Sequence, residues 1–253
     1  MRLFLENGDY IDTEYFHDLS LPLTNSSDNP RAWYVDQPSF EPVRANGFIG
    51  SVIEGGSVNF RNIFFNPHGH GTHTECLGHI TKEVHSVNRV LDTYFSKALV
   101  ITVDPESRMN GNDGKMDAVI LPEMIDGPLK DAEVEALIIR TMPNDESKKH
   151  KNYSSQNPAY LHLDCIHIIN EKKVRHLLID TPSVDREEDG GELAFHHAFW
   201  NISQGGDFKR TITEMVYVPD HVRDGVYMLE LQMAPFENDA SPSRPVLYPI
   251  SRK

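Results

Sequence analysis

The chain has 253 residues and a formal charge of −14, with 39% hydrophobic and 25% charged residues. This length fits one large domain or two small ones, and the balanced composition excludes wholesale disorder. The acidic charge argues against binding to nucleic acid or to an anionic membrane, since both require a basic surface. Only Cys76 and Cys165 are present, too few for a disulfide framework or a four-thiolate zinc site.

Membrane and export signals are missing from the sequence. No stretch approaches the ~18 apolar residues of a membrane span, and the N-terminal segment is not a signal peptide. Together with the low cysteine count, this predicts a cytoplasmic protein in a reducing compartment. Because no linker divides the chain, we expect a single domain over residues 1–253.

Short strands and fewer helices are predicted along the chain. Continuous apolar runs with β-branched residues are typical of buried strands. The predicted strands are residues 3–5, 57–65, 98–103, 136–140, 177–180, 211–218 and 226–233. The predicted helices are residues 160–172, which lead into the strand at 174–180, and two shorter pieces at 123–127 and 194–200. The pattern predicts a single mixed α/β domain with a strand-rich core and flanking helices.

A histidine-rich segment at residues 68–79 is the strongest chemical signal. Four of the 13 histidines lie within these twelve residues, beside a carboxylate, Glu75. Such a tract is typical of a metal site, because neutral imidazole is the commonest metal ligand in proteins. His73 and Glu75 would share a face of a strand, and Glu75 and His79 would share a face of a helix. A polar surface loop that binds no metal is the alternative interpretation.

Further ligands must come from elsewhere in the chain. His196 follows a predicted strand and a turn, and Glu214 lies within a predicted strand. Taken singly, the histidine is typical of a polar loop, and the glutamate is typical of a solvent-facing strand position. Spacing alone therefore assigns neither residue to the site.

Together, these segments resemble the cyclase family of metal-dependent hydrolases, which includes bacterial kynurenine formamidases and isatin hydrolases. The family pattern is His-x-Gly-Thr-His-x-Asp-x-Pro-x-His, and residues 71–79, Gly-Thr-His-Thr-Glu-Cys-Leu-Gly-His, match its core. Residues 18–23, Asp-Leu-Ser-Leu-Pro-Leu, are similar to the family's first motif. Residues 179–185 with the following His196, and then Glu214, are similar to its C-terminal motifs. The four motifs extend over nearly the whole chain in the family's order.

The resemblance implies a swivelling β/β/α architecture and a role for each matched residue. His79 would be the proton donor and acceptor, and Trp33 would contact substrate. Two divalent ions, Zn²⁺ or Mn²⁺, would bind per chain, with Glu75 and Glu214 each bridging both. The implied partners are a small-molecule substrate and further copies of the chain, in a homodimer or larger assembly. The implied metal ligands are His68, His73, Glu75, His196 and Glu214.

The chain departs from the family pattern at three positions. The first histidine of the pattern falls on Gly69, so the ligand must be His68 or His70. We favour His68, because a one-residue bulge before Gly71 would restore its direction, and His70 is the fallback. The usual aspartate is Glu75, and the usual proline is a leucine.

These features predict a hydrolase that cleaves a C–N amide bond, such as that of an aryl-formamide or lactam, with metal-activated water. One alternative is a non-catalytic protein that keeps the fold and binds a metal or small molecule. Another is a thiol enzyme with Cys76 as nucleophile, which alkylation would inactivate and chelators would not.

Overall fold

Strands dominate the structure, and helices are few and short. A computed structural model describes residues 1–252 and therefore all of the predicted domain except Lys253. The strands are β1 (Arg2–Phe4), β2 (Tyr10–Asp12), β3 (His17–Asp18), β4 (Ser39–Pro42), β5 (Arg44–Ala45), β6 (Phe48–Ile49), β7 (Arg61–Phe64), β8 (His73–Glu75), β9 (Phe95–Val103), β10 (Glu106–Met109), β11 (Met116–Ile120), β12 (Ala136–Thr141), β13 (Tyr160–Leu161), β14 (His176–Ile179), β15 (Thr211–Glu214), β16 (Gly225–Met233) and β17 (Ala240–Ser251). The α-helices are α1 (Val87–Val90), α2 (Pro122–Leu129), α3 (Cys165–Glu171) and α4 (Ala194–Phe199).

Seven of the strands in residues 1–252 close into a barrel. Their order is β17-β16-β9-β12-β14-β15-β8, and β8 then pairs with β17 to complete the ring. The pairs β9–β12, β12–β14 and β14–β15 are parallel, and the other pairs are antiparallel. This closed sheet confirms the predicted mixed α/β domain with a strand-rich core. Across the described chain, no helix has the length and apolar character needed to cross a membrane.

The central strands are buried on both faces, which explains their continuous apolar sequences. In β9, Leu99 and Ile101 pack towards the helices, while Ala98 and Val100 belong to the core inside the barrel. The outer core receives helical side chains from all four of α1, α2, α3 and α4. Strand side chains alternate between faces, so β9, β12 and β14 each contribute to both cores.

Three predicted elements are several residues shorter in the structure. The helix predicted at 160–172 begins only at Cys165, because residues 160–161 form β13, in which the Leu161 N–H donates to the Val184 carbonyl. The strand predicted at 57–65 is limited to β7. The strand predicted at 211–218 stops at Glu214, because Met215 adopts a positive φ of 55° and donates its N–H to Thr181. In the first and third cases, a tertiary contact overrides the local pattern.

A buried ion pair closes the carboxyl end of β14. The Asp180 carboxylate accepts hydrogen bonds from the Thr141 N–H at 2.9 Å, from the Thr141 hydroxyl at 2.9 Å and from Lys148 Nζ at 2.8 Å. Burial raises the pKa of Asp180, although Lys148 and the hydrogen bonds act against that shift. The Asp180 charge therefore depends on Lys148.

Replacing Lys148 with methionine should destabilise the fold by about 3–5 kcal/mol, because an uncompensated carboxylate remains buried. The loss should shrink as the pH falls, because Asp180 has a raised pKa in the folded state and becomes neutral by binding a proton. Denaturant unfolding at several pH values measures both effects. Lys115→Met, which removes an exposed lysine, should leave stability nearly unchanged. If the unfolding free energy lost in Lys148→Met does not vary with pH, Lys148 is not the group that compensates the Asp180 charge.

Candidate metal centre

Strand pairing brings three of the predicted ligands to one face of the barrel. His73 and Glu75 are two residues apart in β8 and therefore point to the same side. Glu214 lies directly opposite His73 in the antiparallel pair β8–β15. Thr74 and Thr213 point to the other side and share a hydrogen bond of 2.8 Å between their hydroxyls. His73 Nε2 consequently lies 3.4 Å from a Glu214 oxygen.

His196 reaches the same point from the first turn of α4. Asp185 fixes this turn, because its carboxylate accepts the backbone N–H groups of Phe195 at 2.8 Å and His196 at 3.0 Å. The same carboxylate accepts Nδ1–H of His196 at 2.6 Å. The free Nε2 of His196 then lies 3.1 Å from Glu75 Oε1 and 3.8 Å from Glu214 Oε1.

The loop before β8 places His68, and not His70, at this site. Nδ1 of His68 lies 3.0 Å from Glu75 Oε2. Both ring nitrogens of His70 are used elsewhere: Nδ1 accepts the N–H of Asn66 at 2.8 Å, and Nε2 donates to a backbone carbonyl at 2.6 Å. A Cβ at Gly69 would lie 2.7 Å from a Val35 methyl carbon, so the loop excludes a side chain there.

His79 completes the group from a 3-10 turn at Leu77–His79. Its ring stacks on that of His68, with centroids 4.2 Å apart. Its Nε2 lies 3.9 Å from Glu75 Oε2, and its Nδ1 lies 3.4 Å from Asp239 Oδ2. The spacing of Glu75 and His79 predicted that they would meet, although the connecting segment is a 3-10 turn and not an α-helix.

Two carboxylates of the site were missed in the sequence. Asp239, in the loop between β16 and β17, accepts Nε2–H of His68 at 2.8 Å. Asp185 lies inside a matched motif, but no role was predicted for it. Neither had a usable sequence signal, because their histidine partners are 171 and 11 residues away.

The ligand atoms fall into two groups that share Glu75. One contains His68, Glu75 and His79, the other contains His73, Glu75 and Glu214, and the atoms of each lie within 4.8 Å of one another. His73 Nε2 and Glu75 Oε2 are buried and lack hydrogen-bond partners. Buried polar atoms normally have partners, so these unpartnered atoms fit the role of metal ligands.

The imidazoles are also oriented as metal ligands usually are. His68 donates its other ring N–H to Asp239, His73 donates to the Gly71 carbonyl at 3.0 Å, and His196 donates to Asp185. Such outer hydrogen bonds fix the tautomer of a ligating histidine and leave its second nitrogen free for a metal. The donor set, imidazole and carboxylate without thiolate, fits Zn²⁺ or Mn²⁺.

The electrostatics of the site favour positive charge. Burial lowers the pKa of His196, but Asp185, Glu75 and Glu214 outweigh it and raise the pKa to about 10. Burial also opposes protonation of His68, whose pKa is likewise raised to about 10 by Asp239 and Glu75. Burial acts to raise the pKa of Glu75, yet the surrounding histidines hold it well below its ordinary value. A bound divalent cation would supply the positive charge that protons on His68 and His196 supply in the metal-free protein.

A cavity of about 360 Å³ opens onto these residues. His68, His79, His196 and Glu214 form its floor, and Trp33 lies in its wall. Trp33 adopts a positive φ of 60°, a strained conformation for a bulky residue. A wider groove of about 650 Å³ elsewhere on the surface contains none of the grouped ligand atoms.

Cys76 is not suited to nucleophilic catalysis. Its side chain is fully buried in the core between the barrel and the helices. Burial raises the pKa of its thiol to about 12, and the thiol donates to the His85 carbonyl at 3.4 Å. A thiol with this pKa stays protonated at neutral pH, whereas a nucleophile needs the thiolate. Cys76 is therefore a packing residue.

Metal-free protein should lose stability as the pH rises. The pKa values of His68 and His196 in the folded state are about 10, above their ordinary 6.5. Their protonation therefore stabilises the fold fully below pH ~6.5, and this stabilisation is lost as the pH rises towards ~10. Denaturant unfolding of chelator-treated protein across this window measures it. His162→Gln, at a partly exposed histidine outside the site, should leave the slope unchanged, whereas His196→Gln should reduce it. If the unfolding free energy of the unmodified, metal-free protein does not change with pH over this range, the raised pKa values of His68 and His196 are contradicted.

Comparisons with known proteins agree with this fold and identify a family. The sequence profile of the putative cyclase family matches residues 17–186. Kynurenine formamidase from Bacillus cereus is 29% identical over 245 residues, which cover 94% of this chain and 99% of that enzyme. The kynurenine formamidase of Bacillus cytotoxicus is 29% identical over 235 residues, which cover 92% and 97% of the two chains.

Solved structures share the fold at lower sequence identity. Isatin hydrolase A from Labrenzia aggregata superposes with a TM-score of 0.65 at 16% identity and covers 92% of this chain and 93% of its own. A predicted metal-dependent hydrolase from Bacillus stearothermophilus gives a TM-score of 0.62 at 16% identity, over 92% and 98% of the two chains. The family profile covers most of the chain, and the relatives match along nearly all of it. This chain therefore belongs to the putative cyclase family.

Proposed function

We propose that this chain is a metal-dependent hydrolase that cleaves a C–N amide bond in a small molecule. The observation that carries the proposal is the pair of ligand groups sharing Glu75, with a buried orphaned atom on His73 and on Glu75 itself. The family relatives support the reaction class, since they are named kynurenine formamidases and an isatin hydrolase. Their identity to this chain is modest, so the substrate is proposed only as a class: an aryl-formamide, a lactam or a related amide.

The ligand roles follow from which atoms face one another. His68, His73, Glu75, His196 and Glu214 would hold divalent ions, proposed as two Zn²⁺ or Mn²⁺ per chain. When bound, such ions lower the pKa of water towards ~7 and polarise a substrate carbonyl. Glu214 is further held by the Val184 N–H, which donates to Oε1 at 3.1 Å. That bond leaves Oε2 directed towards His73.

His79 is the proposed proton carrier. Its Nε2 faces the space beside Glu75, and its Nδ1 faces Asp239. Asp239 would accept Nδ1–H and thereby keep Nε2 free to take a proton from the attacking water. The same Nε2–H would then protonate the leaving nitrogen, as general acid–base catalysis requires.

The cavity determines which substrates can approach. Its volume of about 360 Å³ lies at the small end of ligand pockets. Trp33 and Leu193 supply apolar wall, and Trp33 is the proposed contact for a flat aromatic group. Arg186 lies at the same cavity but is anchored by Asp113 at 2.7 Å and Asp117 at 2.9 Å.

Both cysteines are buried and unpaired, which supports the proposed cytoplasmic setting.

Elemental analysis combined with a substrate panel tests the proposal. The expected result is two equivalents of transition metal per chain, turnover of an aryl-formamide or lactam, and loss of that turnover on chelation. Bound metal with no turnover on aryl-formamides, isatin and simple esters would instead support a non-catalytic binding protein. Protein that binds no metal after incubation with Zn²⁺ or Mn²⁺ would contradict both.

Replacing His79 with glutamine should lower kcat by about 10²- to 10⁴-fold, the usual contribution of a positioned acid–base group. Metal content should stay at the level of the unmodified protein, because this substitution changes none of the proposed metal ligands. Those ligands are His68, His73, Glu75, His196 and Glu214. His197→Gln, at the exposed neighbour of a proposed ligand, serves as the matched control and should keep full activity. If His79→Gln loses metal together with activity, His79 is a ligand and not the proton carrier.

Replacing Asp239 with asparagine should weaken metal affinity by about 10- to 100-fold, the usual effect of removing an outer partner of a ligating histidine. His68 would lose the acceptor that fixes its tautomer. Competition with a chelating dye measures this without reference to turnover. Glu237→Gln lies in the same loop, where the native side chain contacts Asn88 and Arg89, and it should leave affinity unchanged. Equal affinities in the two variants would contradict the role of Asp239.

A further inference from the structure

Two neighbouring loops beside the cavity contain several strained residues. Trp33 and Tyr34 lie on one loop and adopt consecutive positive φ angles of 60° and 58°. Ser155 and Asn157 lie on the other and adopt positive φ angles of 61° and 46°. Residues other than glycine rarely occupy this left-handed region, because the Cβ atom then crowds the backbone carbonyl. Strain of this kind persists only where the surrounding structure fixes it.

One carboxylate, that of Glu187, accepts hydrogen bonds from three of these four residues. Glu187 Oε1 accepts the Ser155 N–H at 2.6 Å and the Tyr34 hydroxyl at 3.3 Å. Glu187 Oε2 accepts the Asn157 N–H at 2.9 Å. The fourth residue, Trp33, is the chain neighbour of Tyr34. Glu187 therefore joins the two strained loops at a single point.

Packing contributes little to the conformation of Tyr34. Its side chain is 66% exposed, so its main restraints are polar. The Tyr34 N–H donates to Ser154 Oγ at 2.9 Å, and the Tyr34 hydroxyl accepts from the Ser155 hydroxyl at 3.2 Å and donates to Glu187. Glu187 is the charged member of this set, and hydrogen bonds to charged groups are about twice as strong as neutral ones. Holding Tyr34 in place also holds the backbone of Trp33.

A second residue of the cavity wall is held in a similar way. Leu193 lines the cavity with a positive φ of 44°, and its N–H donates to Asp189 Oδ2 at 2.7 Å. Asp189 and Glu187 line the same cavity, and each accepts N–H groups from strained backbone. Two apolar residues of the wall, Trp33 and Leu193, therefore lie on backbone that a carboxylate restrains.

We infer that Glu187 is a positioning residue, which holds Trp33 in the cavity wall ready for the flat aromatic group of a substrate. The inference rests on the proposed function, in which Trp33 contacts that group. A wall that is already in place spares the substrate the cost of ordering a loop on binding. The wall contacts a part of the substrate that does not react, so it stabilises the ground state and the transition state alike. Glu187 therefore affects KM more than kcat.

The kinetics of Glu187→Gln test the inference. Glutamine keeps the shape of the side chain but has one acceptor oxygen where glutamate has two, and it carries no charge. KM for an aryl-formamide should rise about tenfold, the effect of losing one hydrogen bond to a charged group. The change in kcat should be smaller, and metal content should be unchanged. Glu188→Gln is the matched control and should keep the unmodified KM, since Glu188 is exposed and pairs with Lys115.

A double-mutant cycle separates positioning of Trp33 from a general structural role. In a Trp33→Ala background, Glu187→Gln should raise KM no further, because the side chain that Glu187 positions is already gone. A rise in KM of equal size with and without Trp33 would overturn the inference, because Glu187 would then act through another part of the structure.

Tryptophan fluorescence tests the inference without metal or turnover. The chain has two tryptophans, and Trp200 is fully buried, so quenching by acrylamide reports mainly on Trp33. Quenching should increase in Glu187→Gln and stay at the unmodified level in Glu188→Gln. Unchanged quenching in Glu187→Gln would overturn the inference. If quenching increases but the protein turns over no amide, the proposed function fails, whereas the role of Glu187 in holding Trp33 is supported.

Discussion

Glu75 is the constraint on which the rest of the site depends. Its carboxylate is fully buried, and an isolated buried carboxylate would cost several kcal/mol or become protonated. Here the surrounding imidazoles keep it ionised, and the pKa of Glu75 lies well below its ordinary value. The histidines in turn have raised pKa values because of this and neighbouring carboxylates. Each charge is therefore tolerable only because the others are present.

The barrel makes this arrangement possible by pairing β8 on both sides. One neighbour, β15, supplies Glu214 opposite His73, and the other, β17, follows directly after Asp239. The three-residue strand β8 therefore has a carboxylate beside it from each flanking segment, Glu214 on one side and Asp239 on the other. The apolar cores on the two faces of the sheet fix the strands, so the polar groups need little support of their own. α4 contributes His196 only because Asp185 holds its first turn.

Local spacing in the sequence was enough to bring together His73, Glu75 and His79, since a strand followed by a turn has few ways to arrange them. The buried strands were equally predictable, because burial on both faces leaves a continuous apolar run. His196 and Glu214 were reached only through the family resemblance, since nothing local distinguishes them from surface polar residues. The geometry gathers all of these side chains, while their chemical roles remain proposals.

What the sequence did not reveal depends on contacts between distant residues. Asp239 belongs to the site because it accepts a hydrogen bond from His68, which is far away in the chain. No local sequence pattern predicts that contact. His70 is kept away from the site by the hydrogen bonds of its ring to the backbone of Asn66 and Asp36. The strand at 57–65 was predicted, but its exposure was not, because an apolar run gives no indication of whether the rest of the chain covers it.

Barrel closure has a consequence for how the protein matures. β8 meets β17 through pairs such as Glu75 with Ala240, which are far apart in sequence. Contacts of such long range form late and slowly, because a large loop must close first. During synthesis, His73 and Glu75 leave the ribosome long before Glu214 and Asp239 exist. A nascent or truncated chain therefore presents separate histidines and carboxylates but no assembled centre, and the proposed metal loading would be a late event.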